Sequence, residues 1–370
     1  MAIYKIFPES DAFIFSESPT ANTGRDEILE IGGYRDITGT GRTKRTLIKF
    51  NTAEIQDVVN NKIGASSWSS SLHVYLAEAS NLPTTHSIYA YPVGQSWENG
   101  TGKFGDYPID ETGVSWQYRE AGRNNAWPGT LGFPSPLTGS FISGQAGGGT
   151  WYTGSNGLNL EAEQVFPLNS TLDLDINVTN ATVLHYSESI VNNGFILKLP
   201  NDLEFNTTAS AQLRYFGADT NTIYPPSLDF KWDDSSYSTG SLSVLDNSLS
   251  TINIKNNKGE YIDEGKQRFR IAAKPKYPTR TFTTSSIYLT NYALPEDSYW
   301  GLRDEHSEEM IVDFDTDFTK ISCDSTGPYF DVYMNGLQPE RYYRILIKTT
   351  LDGSTTVVDN ANIFKIVRNG

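Results

Sequence analysis

The chain has 370 residues, of which 12% are aromatic and 20% charged, with 31 Gly and 17 Pro, a balance that disfavours helical bundles and predicts an all-β protein with many turns. Its net charge of −15 is a poor match for a nucleic-acid backbone, which needs clustered Lys and Arg to displace counterions. Residues 1–235 hold 14 Lys plus Arg against 26 Asp plus Glu, residues 236–370 hold 15 against 18, and the single cysteine, Cys323, excludes an internal disulfide and a CxxC-type zinc site.

The N-terminus (MAIYKIFPESDAF) has no basic segment followed by an apolar run, and nowhere do about eighteen apolar residues occur consecutively. This predicts synthesis in a cytosol, with neither a signal peptide nor a membrane span. Ile3, Ile6, Phe7, Phe13, Ile14 and Phe15 suggest an opening strand pair, broken by a turn over Pro19–Gly24 and followed by a strand from Glu27 to Ile31. GTGRTK at Gly39 lacks the GxxxxGKS/T spacing of a phosphate loop and precedes a strand, so it reads as a hairpin turn.

In RTLIKF at Arg45, Leu47 and Lys49 project to one face and Thr46, Ile48 and Phe50 to the other, which predicts one core face and one partly wet face. TAEIQDVVNNKIG, with Ile55, Val58, Val59 and Ile63 at helical spacing and Gly64 at its end, predicts one short helix capping an end of a sandwich. SLHVYLAEA near Leu72 continues the strand pattern less strictly. From 94 to 157 the chain is rich in Gly, Pro, Ser and Asn, including AWPGTLGFPSP at Ala126 and SGQAGGGTWYTG at Ser143. Loops of this length in a compact domain are usually functional or pinned by a partner.

Further strands are predicted at Thr171, Gly194, Ala209 and Pro226, and DDSSYSTGS after Trp232 reads as a linker with the boundary near Ser238. Beyond it, strands at Ser250, Lys266, Ser286, Met310, Tyr329, Tyr342 and Asn362 match an immunoglobulin-like sandwich in count and spacing.

Candidate chemistry is sparse. Asp313, Asp315 and Asp317 mimic a calcium loop, but Phe318 stands where that loop needs Gly, so the segment reads as a strand with a solvated acidic face, as do Asp173 and Asp175. No cofactor is implied; a structural calcium in the first sandwich has no nameable ligand set. His73, His86, His185 and His306 lie in no HxH or HExxH spacing. The five Asn-x-Thr acceptor patterns, from Asn99 to Asn206, read as products of an Asn- and Thr-rich composition. Trp97 and Trp116 read as core, whereas Trp127, Trp151 and Tyr152, in or beside the Gly-rich loops, are candidate contacts to a partner or glycan, since flat rings serve both as interface anchors and as platforms for sugars.

Asp11 before a Phe-rich strand, the Asn22-Thr23-Gly24 turn, the Arg45 strand, the Trp97-Glu98 tract with Gly102 and Gly105, Val114-Ser115-Trp116, Asn193-Gly194-Phe195 and the closing Pro226-Ser-Leu-Asp-Phe occur in an order that resembles the DNRLRE domain family, which overlaps a class of carbohydrate-binding modules. That resemblance implies a generally non-catalytic jelly-roll sandwich found in extracellular, cell-wall and viral surface proteins. The C-terminal part, above all NGLQPERYYRI, resembles the ends of virion structural proteins of contractile-tailed marine phages, including cyanophages. Together these imply a DNRLRE-like jelly roll over 1–237 and an immunoglobulin-like domain over 238–370. The expected protein is a non-enzymatic virion component of tail, baseplate, neck or capsid exterior. It would assemble with other virion proteins as a homo-oligomer or symmetric array, without nucleic acid or membrane. The alternative is an adhesin that binds host surface polysaccharide.

Overall fold

The computed structural model describes residues 2–35, 39, 41–127, 137–139, 147–204, 210–278 and 290–368. The chain is an all-β, sandwich-like protein built mainly from antiparallel sheets, and among the described residues no helix is long and apolar enough to cross a membrane. It divides into two compact units: Ile6–Lys62 with Ser69–Asp229, and Met1–Lys5, Ile63–Trp68 and Phe230–Gly370.

We label β1 (Ala2–Ile6), β2 (Ser10–Phe15), β3 (Ile28–Arg35), β4 (Gly41–Lys49), α1 (Thr52–Asp57), β5 (Trp68–Val74), β6 (Leu76–Ser80) and β7 (His86–Pro92). Then come β8 (Thr150–Tyr152), β9 (Ala162–Phe166), β10 (Leu174–Asn177), α2 (Thr179–Tyr186), β11 (Phe195–Lys198), α3 (Asn201–Glu204), β12 (Ala211–Phe216) and β13 (Ser227–Trp232). The large sheet runs β9-β7-β11-β4-β3-β12-β6, and β2 also pairs with β4. β2 and β3 share one edge of β4, with Ser10–Phe15 along Lys44–Lys49 and Gly32–Arg35 along Gly41–Lys44. In a smaller sheet β10 pairs with β5, Leu174–Asn177 running along Val74–Ser71.

β4 is therefore central, and every residue from Thr43 to Ile48 is buried. The expected wet face is absent because described parts of the loop tract cover it: Trp97, Val114, Trp116, Trp127 and Trp151 form one core cluster with Ala12, Ile14, Leu47, Tyr91 and Ile196. The imperfect alternation of SLHVYLAEA also has a cause. The chain changes sheets at Tyr75, so Leu72 and Val74 belong to β5 in the small sheet and Leu76 opens β6 in the large one.

The expected helix is present as α1, capped by Asn51 Oδ1, which accepts from Ala53 N at 2.8 Å and Glu54 N at 3.4 Å. It continues into a π-turn, Val58–Ile63, and Gly64 follows at φ +66°.

In the second unit, strands β14 (Ser250–Ile254), β15 (Glu260–Ile262), β16 (Lys266–Pro275), β17 (Tyr299–Asp304), β18 (Met310–Val312), β19 (Ser322–Asp324), β20 (Gly327–Tyr333), β21 (Tyr342–Leu351) and β22 (Ser354–Val367) form two sheets. Their orders are β14-β16-β20-β19 and β15-β22-β21-β17-β18. The sheets close on one apolar core: Trp300 of one stacks on Phe330 of the other at 5.1 Å, and Phe269 lies 5.6 Å from Phe364. Tyr4 meets Tyr333 edge-on at 5.9 Å and Trp68 lies 5.5 Å from Phe230, so the two early segments pack within this unit.

The polar run after Trp232 is tied down. Cys323 N donates to Ser236 O, Ser238 N to Cys323 O, and Tyr237 Oη to Leu294 O. Of the strand expected at Ser286, residues 286–289 lie outside the described residues and 290–294 carry only an isolated bridge at Ala293, while β17 and β7 escaped the sequence reading. Asp313–Asp317 is not strand. β18 stops at Val312, and Asp315 Oδ1 accepts from Asp317 N (2.6 Å) and Phe318 N (2.9 Å), making a side-chain-capped turn.

Candidate functional site

Asn22, Thr23, Trp97, Gly102, Val114 and Asn193 of the first unit converge on one packed hub. Asn22 Nδ2 donates to Asn99 O (2.7 Å) and Val114 O (2.8 Å), and its Oδ1 accepts from Gly102 N at 2.8 Å. Thr23 Oγ1 accepts from Phe13 N, and Trp97 Nε1 donates to Asn193 O at 2.8 Å. Backbones approach so closely that a Cβ on Gly113 would lie 2.5 Å from Gly100 Cα. These side chains hold the loop tract onto the sheet.

A second lock lies beneath the Gly147-Gly148-Gly149 run. Arg45, fully buried, makes a two-point pair with Glu204, Nε to Oε1 at 2.7 Å and Nη2 to Oε2 at 2.9 Å, while Lys198 Nζ reaches Glu204 Oε2 at 3.2 Å. Arg45 Nη1 donates to Gly148 O at 2.5 Å, and the guanidinium lies 5.0 Å from the Trp116 ring and 5.3 Å from Trp151. Burial pulls the Lys198 ammonium below its ordinary range, with Glu204 opposing that shift. A carboxylate between two buried cations ties strands β4 and β11 to α3 and to the loop.

Trp127 and Trp151 belong to this lid and not to a surface platform. They are 1% and 5% exposed, and Trp127 Nε1 donates to Ser115 O at 2.9 Å. Neither indole has a face free for a sugar or a partner; of the three candidate contacts only Tyr152 is half-buried. The reason is the unclaimed face of β4, which only the tract's large apolar rings could cover.

The histidines are dispersed. His86 stacks on Phe166 at 5.0 Å, His185 meets Phe195 at 5.4 Å, and burial lowers both pKa values, that of His185 to about 4. His73 packs against Tyr75, and His306 is exposed against Tyr342. Among the described residues no group of three or more His, Cys, Asp or Glu is arranged to hold a metal. Asp175 is exposed on β10 as expected, whereas Asp173 lies just before that strand, half-buried, with its Oδ1 accepting from Leu76 N at 2.7 Å.

What the sequence did not reveal is a cavity of about 430 Å³ where the start of α2 meets β9 and β7. Ala90, Leu160 and Ala181 form a buried apolar floor, and Asn159, Glu161, Asn177 and Asn180 are exposed around it. The rim is braced: Asn180 Nδ2 donates to Asn159 O (3.0 Å), Thr179 N to Asn177 Oδ1 (3.0 Å), Glu161 N to Asn159 Oδ1 (3.1 Å) and Tyr91 Oη to Glu161 Oε2 (2.7 Å). An apolar floor under a few fixed polar groups is the usual make-up of a small-ligand site. The only signal in the sequence was the density of Asn in NGLNLE and INVTNAT, which composition alone could explain.

No protein-family model matches the chain, and no curated protein matches it.

Proposed function

We propose that this chain is a non-enzymatic structural protein of a phage virion exterior, a tail, baseplate, neck or capsid-surface component that works by assembly and surface contact. The observation that carries this reading is the way the C-terminal tract NGLQPERYYRI is spent. Leu337, Tyr343 and Ile345 lie in the core, Tyr343 Oη donates to Gln338 O at 3.0 Å, Arg341 Nε pairs with Asp304 at 3.0 Å, and Glu340 N donates to Ile366 O at 2.7 Å. The residues that resemble virion proteins are thus those that brace β21 against β17 and β22, so the resemblance rests on the framework of this unit. A jelly-roll order for the first unit and an immunoglobulin-like order for the second belong to the same proposal. Quantitative mass spectrometry of gradient-purified particles, with antibody labelling under the electron microscope, tests it. A fixed copy number at a discrete location is expected, and absence from particles overturns it.

The second reading, an adhesin for host surface polysaccharide, is favoured by the braced cavity. It predicts saturable binding on a glycan array, and a flat array removes it.

A further inference from the structure

We infer that the cavity between α2, β7 and β9 is a binding site for one uncharged, hydroxyl-rich unit, a neutral sugar residue. This rests on the adhesin reading and adds to it a location and a ligand class.

The argument is one of donor and acceptor supply. Each rim amide uses one polar end internally: Asn159 and Asn177 through Oδ1, Asn180 through Nδ2. Among the described residues this leaves Asn159 Nδ2 and Asn177 Nδ2 as donors, and Asn180 Oδ1 and the second oxygen of Glu161 as acceptors. Alternating donors and acceptors suit vicinal hydroxyls, each of which both gives and takes a hydrogen bond.

Charged ligands fit poorly. No Lys or Arg lines the cavity, and Glu161 repels a carboxylate or phosphate. A metal ion would find a single carboxylate there. The floor of Ala90, Leu160 and Ala181 offers apolar contact to the C–H face of a pyranose, and about 430 Å³ accommodates one residue with room at the mouth for the chain to continue. Because the rim is already hydrogen-bonded in place, little ordering cost opposes binding.

The test is saturation-transfer NMR and calorimetry on the full chain with glucose, galactose and mannose, with glucuronate as the charged comparison. Two variants accompany it. Ala162→Phe fills the cavity from the edge strand, and Glu161→Ala removes an exposed acceptor together with the partner of the Tyr91 hydroxyl, so the thermal midpoint is read alongside binding. At least one neutral hexose should bind saturably, at least tenfold more tightly than glucuronate, and each variant should weaken it at least tenfold while leaving the thermal midpoint within a few degrees. Absence of transfer from all three hexoses, glucuronate binding as well as they do, or hexose binding unchanged in Glu161→Ala overturns the inference. A positive polysaccharide array that neither variant diminishes sinks this site while the adhesin reading stands.

Discussion

Arg45 shows how far tertiary packing can override the ordinary preference of a charged side chain. A cation on a strand pattern points outward by default, yet here it is fully buried because Glu204, Gly148 O and two indole faces meet it. Removing one partner of such a pair strands the other charge, so Glu204→Gln should cost about 3–5 kcal/mol in urea unfolding, more than a paired Arg45→Met/Glu204→Leu replacement. Two other buried groups contribute to the pH response in opposite senses. Burial raises the Asp11 carboxyl from 3.8 to about 7, so the native chain keeps a proton that the unfolded chain releases; this contribution is complete below about pH 3.8 and is lost as pH rises through about 7. His185 works in the opposite sense: it stays neutral down to about 4 when folded but takes a proton near 6.5 when unfolded, so its contribution is lost as pH falls between those values. Between pH 4 and 6.5 the two nearly cancel. Asp11→Asn breaks the balance, and the variant should lose about 3 kcal/mol more than the parent on acidification from 6.5 to 4, measured by urea unfolding at each pH.

At the level of elements, the loop tract behaves as a lid whose seat is β4. Gly148 sits at φ +85°, and a Cβ there would lie 2.6 Å from Arg45 Nη1 and 2.8 Å from the Trp116 ring. Gly148→Ala should therefore destabilise the first unit by about 2–4 kcal/mol, seen as an earlier red shift of tryptophan fluorescence in urea. The turn at Asp315 should respond less: Asp315→Ala removes an acceptor from two backbone N–H groups, and a loss of about 1 kcal/mol is expected in thermal unfolding of the second unit. Much of this architecture was legible from alternation and turn chemistry, as at RTLIKF, GFILKLP, KQRFRIAAK and the Asn51-capped helix. What escaped had a physical reason. β4 looked half-wet because periodicity cannot report a cover supplied from distant parts of the chain, between Trp97 and Trp151, and the break at Tyr75 leaves only a phase slip. The segment at Asp313 mimicked strand alternation while its carboxylate was closing a turn. α2, TNATVLHY, carries three β-branched residues and one Asn, against helix propensity, and is held by tertiary packing of Ala181, Leu184 and His185. The cavity depends on α2, so it was hidden for the same reason.

For the whole molecule, the informative fact is that the division into units does not follow the order of the chain. Met1–Lys5 and Ile63–Trp68 belong with Phe230–Gly370. Tyr4→Ala, which removes the ring against Tyr333 and the contact with Gly336, should reduce hydrogen-exchange protection across Gly327–Tyr333 and leave Gly41–Lys49 protected. The same arrangement bears on how the protein is made. A ribosome releases Trp68 some 160 residues before Phe230, which at about 5–20 residues per second is roughly 8–30 s. Through that interval the early segments wait beside a growing first unit with their own companions still untranslated. A nascent chain stalled before residue 230 would display Tyr4 and Trp68 to whatever folding factors attend the exit tunnel.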